Sequence, residues 1–333
     1  MQHRIDWIDA LKGFAILTVV IGHCITDSLS SQTFPEYAVL LQMMNDAIYS
    51  FHMPLFFMIS GYVFYLTKSY RKWKTKVLDF SIVYVIWSTL MWFSKYMMSG
   101  DVNHPVTIID LVSIVYKPIM VYWYLYVLII LYAIVSCLRW ERVSWRLWSI
   151  SAVAAIAVKA MQLDIGMLNN AIYHMCYFLA GGVLLQTGLL QKLKLKHAAF
   201  LSALVLMNCI FYFRGTPTAV LVVAAKQFLI ASCLSLLCFL AFSRLGVNAA
   251  LRVMGVNTLQ IYVMHCFFTG GLRILFKHMH MGSIGLYFVM ATALGVIVPV
   301  FCAKIARKIP LLHVVFEPNI GKKGKGGSVK CFV

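Results

Sequence analysis

Residues 5–24 read IDWIDALKGFAILTVVIGHC. From Trp7 onward the run is apolar at nearly every position, and about 20 such residues cross a bilayer as a helix. A lone segment in lipid satisfies its own backbone groups only as a helix, so this stretch decides the fold: it is a membrane span. Its polar content is unusual for one. Asp9, Lys12 and His23 lie within it, and ionisable side chains at membrane depth are costly and usually functional. Lys12 and His23 fall within about 20° of one helix face, about 16 Å apart along the axis. Asp9 precedes Lys12 by one helical turn and is placed to pair with it. Asp27 follows His23 by one turn and is placed to orient its imidazole.

The rest of the chain agrees. Of its 333 residues, 62% are hydrophobic and 12% charged, with a mean hydropathy of +0.83. A soluble domain sits near about 45–50% apolar and about 25% charged, so a water-soluble globule and a disordered chain are both excluded. The net charge of +18 does not point to nucleic acid, because a nucleic-acid surface needs far more polar area to carry it. Apolar stretches at 7–26, 51–67, 77–97, 120–138, 147–161, 169–189, 198–213, 218–242, 256–276 and 283–303 predict an all-α polytopic membrane protein of about ten transmembrane helices. With both termini cytoplasmic, 22 of the 29 Lys and Arg residues fall on the inner side, as the positive-inside rule requires. Lys95, Lys117, Lys159, Arg214, Lys226, Arg273 and Lys277 remain for the spans and outer segments. Residues 1–310 read as one transmembrane unit and 311–333 as a basic cytoplasmic tail. The first helix is expected to be retained, since no A-x-A-like site follows it. The nine cysteines form no C-x-x-C pair and read as small buried hydrophobes.

Four further segments carry chemistry. In FHMPLFFMISGYVF (51–64) Pro54 fits a first helical turn, and entry from the outside puts His52 at a depth similar to His23. Ser60–Gly61 is a small pair suited to close helix packing; it lacks the G-x-S-x-G of a nucleophile elbow. KSYRKWKTK (68–76) includes Arg71, Lys72, Lys74 and Lys76, suited to anionic headgroups or to the phosphates of a cofactor. MGVNTLQIYVMHCFF (254–268) places Asn257 near the inner end, His265 near the midplane and Tyr262 one turn before it. Trp123 and Tyr124, in VYWYLYVL (121–128), suit the aromatic belt at the outer interface. His174, Lys159, Lys226 and Arg273 are further intramembrane polar residues to which spacing assigns no role.

In order and spacing, these segments resemble acyltransferase family 3, in its branch of fucose 4-O-acetylase-like and polysaccharide O-acetyltransferases. The match runs from Lys12 and His23 within D-x-L-K-G, through 51–64, the RKWKTK run and Trp123-Tyr-Leu, to GVNTLQIYVMH (255–265). The resemblance implies a bacterial cytoplasmic-membrane enzyme with acetyl-CoA as cytoplasmic donor, a hydroxyl of a glycan or lipid-linked sugar as acceptor, and no permanently bound cofactor or metal. It implies that Lys12, Arg71, Lys72, Lys74 and Lys76 hold the CoA phosphates and that His23 is the general base. His52, His265 and Asp27 assist, while Asp9, Ser60, Gly61, Trp123, Asn257 and Tyr262 orient the site. The family often has arginine at the position of Lys12; lysine keeps the charge but drops the planar fork. No fused periplasmic SGNH-type domain is expected, so the membrane unit is expected to complete transfer. Two rivals stand beside this reading. One is a transporter or flippase for a lipid-linked glycan. The other is a haem or metal protein using His23, His52, His174 and His265, disfavoured because no two of these have i, i+4 spacing.

Overall fold

The computed structural model describes residues 5–213, 219–279, 281–309, 314–316 and 318, with backbone alone for 195 and 207–213. Arg4, Arg214 and most of the tail expected over 311–333, with Lys322, Lys323, Lys325 and Lys330, lie outside the described residues. Within them the chain is helical and contains no strand. In order the helices are α1 (Asp6–Ser30), α2 (Ala38–Tyr49), α3 (His52–Leu66), α4 (Trp73–Met97), α5 (Ile108–Ser113), α6 (Trp123–Cys137) and α7 (Trp145–Met161). They continue with α8 (Met167–Thr187), α9 (Leu189–Lys192), α10 (Leu195–Phe213), α11 (Val220–Arg244), α12 (Ala249–Val256), α13 (Thr258–His278) and α14 (Ile284–Ala306). Local chemistry sets several ends. Ser144, Asn248 and Ser283 accept backbone N–H bonds at the starts of α7, α12 and α14, filling donors that a helix start leaves open. Thr107 and Asp110 close a capping box on α5. Gly188, at φ +61°, stops α8 in the left-handed region that only glycine enters freely.

Each of the ten apolar stretches coincides with a helix, which makes this an all-α polytopic membrane protein. Large apolar side chains such as Val85, Phe93, Val153, Val289, Ile297 and Phe301 point outward and exposed, a surface suited to lipid and not to water. Two elements differ from expectation. The outer segment 27–50 contains α2, which packs along α1 and brings Ile48 and Tyr49 over Gly22. Pro35 starts the turn leading into it. Segments α2 and α3 therefore form one span interrupted at Ser50–Phe51. The stretch 256–276 is likewise broken at Asn257: α12 ends there and α13 begins.

Two glycine crossings hold the core. A Cβ on Gly13 would strike the backbone carbonyl of Leu251, and one on Gly255 the backbone of Asp9, so α1 and α12 touch main chain to main chain. Gly61 meets Phe178 and Gly181 meets Met58 in the same way between α3 and α8. In lipid, helices gain no hydrophobic drive to associate, and small residues instead allow close backbone approach. The packing reading of Ser60–Gly61 thus has its partner, and the Ser60 hydroxyl bonds Tyr124 Oη at 2.7 Å. Nearly every residue of α3 is buried; it is the central helix.

Candidate functional site

The interior histidines converge. The rings of His23 on α1 and His265 on α13 lie 5.3 Å apart, tilted by 38°. Tyr49, ending α2, stands edge-on to His23 at 6.3 Å and to His52 at 4.6 Å. His52, opening α3, is a neighbour of both His23 and His174 of α8. A row His265–His23–His52–His174 therefore crosses the bundle, built by four helices distant in sequence.

Their hydrogen bonds separate one from the rest. Nδ1 of His52 donates to Ile48 O at 2.8 Å, Nδ1 of His174 to Asn170 O at 2.8 Å, and Nδ1 of His265 to Ile261 O at 3.0 Å and Tyr262 O at 2.9 Å. A carbonyl only accepts, so these three carry their proton on Nδ1. His23 alone among the four turns its Nδ1 to a side chain, 3.5 Å from Tyr49 Oη. Tyr49 Oη in turn accepts from Thr26 Oγ1 at 3.0 Å, and Thr26 reaches Asn45 at 2.9 Å. His23 is half-buried while His52 and His265 are sealed. On His265 the Nε2 lies 3.3 Å from Cys266 Sγ.

The structure departs from the expected roles at three places. Asp27 does not turn to His23; its charged neighbours are Arg273, Lys95 and His104. Lys12 is 2% exposed and bonds Asp9 at 2.8 Å. It sits beside the tight α1–α12 crossing, so it neither snorkels to headgroups nor opens onto the inner surface. Arg71, Lys72 and Lys74 are exposed at the start of α4, with Lys74 against the Trp73 ring, and Lys76 is half-buried; the structure does not gather this run and Lys12 into one contact. Trp123 faces inward, against Phe57 and His174, because the turn Met120–Tyr122 before it is locked by Tyr122 Oη on Val263 O (2.8 Å) and Tyr262 Oη on Val121 O (2.6 Å). Tyr262 is thus a clamp between α6 and α13. Asn257 joins α12 to α13 and accepts from Arg307 at 2.9 Å.

At the outer end a polar cavity of about 560 Å³ opens between Ser30–Gln32, residues 100–103 and the end of α13 at Lys277 and His278. Its wall residue Asn103 donates to Asp27 O at 3.3 Å, and Arg273 donates to Asp101 O at 3.2 Å. The site thus has an exposed cationic inner edge, a histidine row and a charged outer mouth. Tyr49, Cys266, Lys95 and Arg307 were not singled out by motif. Tyr49 had a usable signal, since AVLLQMMNDAIY (38–49) behind Pro35 is an apolar helical run.

Comparison with known proteins locates this arrangement. The acyltransferase 3 family profile, described as an acyltransferase domain, matches residues 5–304. Nodulation protein NolL of Mesorhizobium japonicum (strain LMG 29417 / CECT 9101 / MAFF 303099) is 30% identical over 172 residues, covering 50% of this chain. The match spans 44% of that protein's length. No solved structure matches.

Proposed function

We propose, from the premise that this chain belongs to the acyltransferase 3 family, that it moves an acetyl group from cytoplasmic acetyl-CoA to a hydroxyl of a cell-surface glycan or lipid-linked sugar. The observation that carries the reading is His23: it is the interior histidine of the row whose Nδ1 is not committed to a main-chain carbonyl. With Nδ1–H donated to Tyr49 Oη, Nε2 is free to accept a proton. In the proposed step the acceptor hydroxyl oxygen attacks the thioester carbonyl as Nε2 takes its proton. The C–S bond then breaks, the ester forms, and the proton passes to the departing CoA thiolate. A histidine so placed contributes about 10²–10⁴-fold.

Arg71, Lys72, Lys74 and Lys76 hold the donor's phosphates, and Lys12 acts by fixing α1 against α12. His265 and His52 shape the floor where the acceptor hydroxyl lies. The acceptor enters from the outer cavity, whose polar lining suits sugar hydroxyls. Purified protein with labelled acetyl-CoA and extracted surface glycan tests the reading. His23→Gln and His23→Ala are expected to lower transfer at least about 10²-fold at normal expression. Transfer at the parental rate by either variant would remove His23 from the chemistry. A transporter is expected to show neither acetyl-CoA hydrolysis nor acetyl transfer.

A further inference from the structure

We propose that the outer end of α1, α4 and α13 is a binding site for a sugar-borne oxyanion, the carboxylate or phosphate of the acceptor, held by Arg273 and Lys95 with Asp27 beside it. The inference deepens the acceptor reading above and rests on it for the ligand's identity as a sugar.

Unfilled donors on a buried guanidinium carry the argument. Arg273 is 3% exposed and Lys95 7% exposed. Arg273 uses Nη2 on Asp101 O, but its Nε and Nη1 are buried without a hydrogen-bond partner among the described residues. Lys95 makes no ion pair among them. Asp27 is the carboxylate that both face. Asp110 also acts on Lys95 while capping Thr107 at 2.7 and 2.8 Å, and Asp101 bonds His278 at 2.8 Å. The remaining groups, His104 and Lys277, are exposed and add no negative charge. Two buried cations thus face the half-buried Asp27, and the guanidinium keeps two donors unfilled. An uncompensated buried charge is strongly unfavourable, and in a membrane such residues mark a substrate path. An oxyanion accepts from the idle guanidinium N–H groups and the ammonium, bonds of the strong, charge-assisted kind. Asp27 then accepts from a neighbouring sugar hydroxyl. The cavity above, bounded by Asp101, Asn103, Lys277 and His278, is large enough to admit a sugar ring.

The test is binding to the intact chain in lipid nanodiscs, without CoA, so that it reads out whether or not acetyl transfer is observed. Thermal unfolding is followed against D-glucuronate, glucose 1-phosphate and glucose at matched ionic strength. A saturable rise in Tm is expected with an anionic sugar and not with glucose. Response to glucuronate alone identifies a carboxylate acceptor, and response to glucose 1-phosphate alone a phosphate one. Arg273→Gln and Lys95→Gln each remove one cation and are each expected to weaken Kd roughly tenfold or more. Each leaves a neutral pair with Asp27, so if one fails to fold the other carries the test. His23→Gln is expected to retain the response, which separates loss of this site from loss of the chemistry. Equal stabilisation by glucose, no response to either anionic sugar, or parental Kd in the cation variants would overturn the site.

Discussion

At the residue scale the main result is the partner of His23. Asp27, one turn along the same helix, would supply a carboxylate, yet Tyr49 from α2 holds the Nδ1 contact and Asp27 faces the cations. A phenol orients the ring without adding a full negative charge beside it. Tyr49→Phe keeps the ring edge-on to His52 and removes the oxygen. It is expected to lower the acetyl-transfer kcat about five- to tenfold, the worth of roughly one hydrogen bond. The KM for acetyl-CoA is expected to hold, because Tyr49 lies remote from the cationic edge. An unchanged kcat, or a loss appearing in KM alone, would show that His23 is oriented by something else. The i, i+4 geometry of α1 was legible in the sequence; which side chain a second helix brings to it was not, since periodicity describes one helix at a time.

At the scale of elements, the α1–α12 crossing explains Lys12. Gly13 and Gly255 let the two backbones touch, Arg252 bonds Asp6 at 3.2 Å on the surface, and the Asp9–Lys12 pair is sealed alongside. Breaking a buried pair from one side leaves a lone charge and costs about 3–5 kcal/mol, whereas replacing both partners by uncharged ones is often near neutral. Lys12→Met is therefore expected to lower the melting temperature sharply. Asp9→Asn combined with Lys12→Met is expected to recover most of it, measured by thermal unfolding in detergent. A phosphate ligand at Lys12 gives the opposite pattern: normal stability for Lys12→Met and a raised KM for acetyl-CoA. The sequence showed Asp9 and Lys12 as neighbours. It did not show α12 over them, because residues 249–256 are too short and too mixed to register as a span.

At the scale of the whole molecule, the one-sided distribution of Lys and Arg predicts how the bundle sits in the bilayer. On that expectation exposed Arg142, after α6, belongs to the cytoplasmic side and exposed Ile109, on α5, to the outer side. Ile109→Cys is expected to gain label over the parent protein from a membrane-impermeant maleimide in intact cells. Arg142→Cys is expected to gain it only after permeabilisation. The reverse pattern would invert the bundle and put the acceptor cavity in the cytoplasm.

The sequence by itself determined the class of protein, the position of most apolar helices and the presence of polar groups where lipid forbids them. Hydropathy and helical period are local quantities, and they act over one span at a time. Tertiary structure alone decided that His265, more than two hundred residues from His23, lies beside it, that Lys12 is sealed and that Lys95 and Arg273 are buried. Those pairings depend on which helix faces which. In lipid that is set by backbone-close glycine contacts and interhelical hydrogen bonds, whose partners lie far apart along the chain.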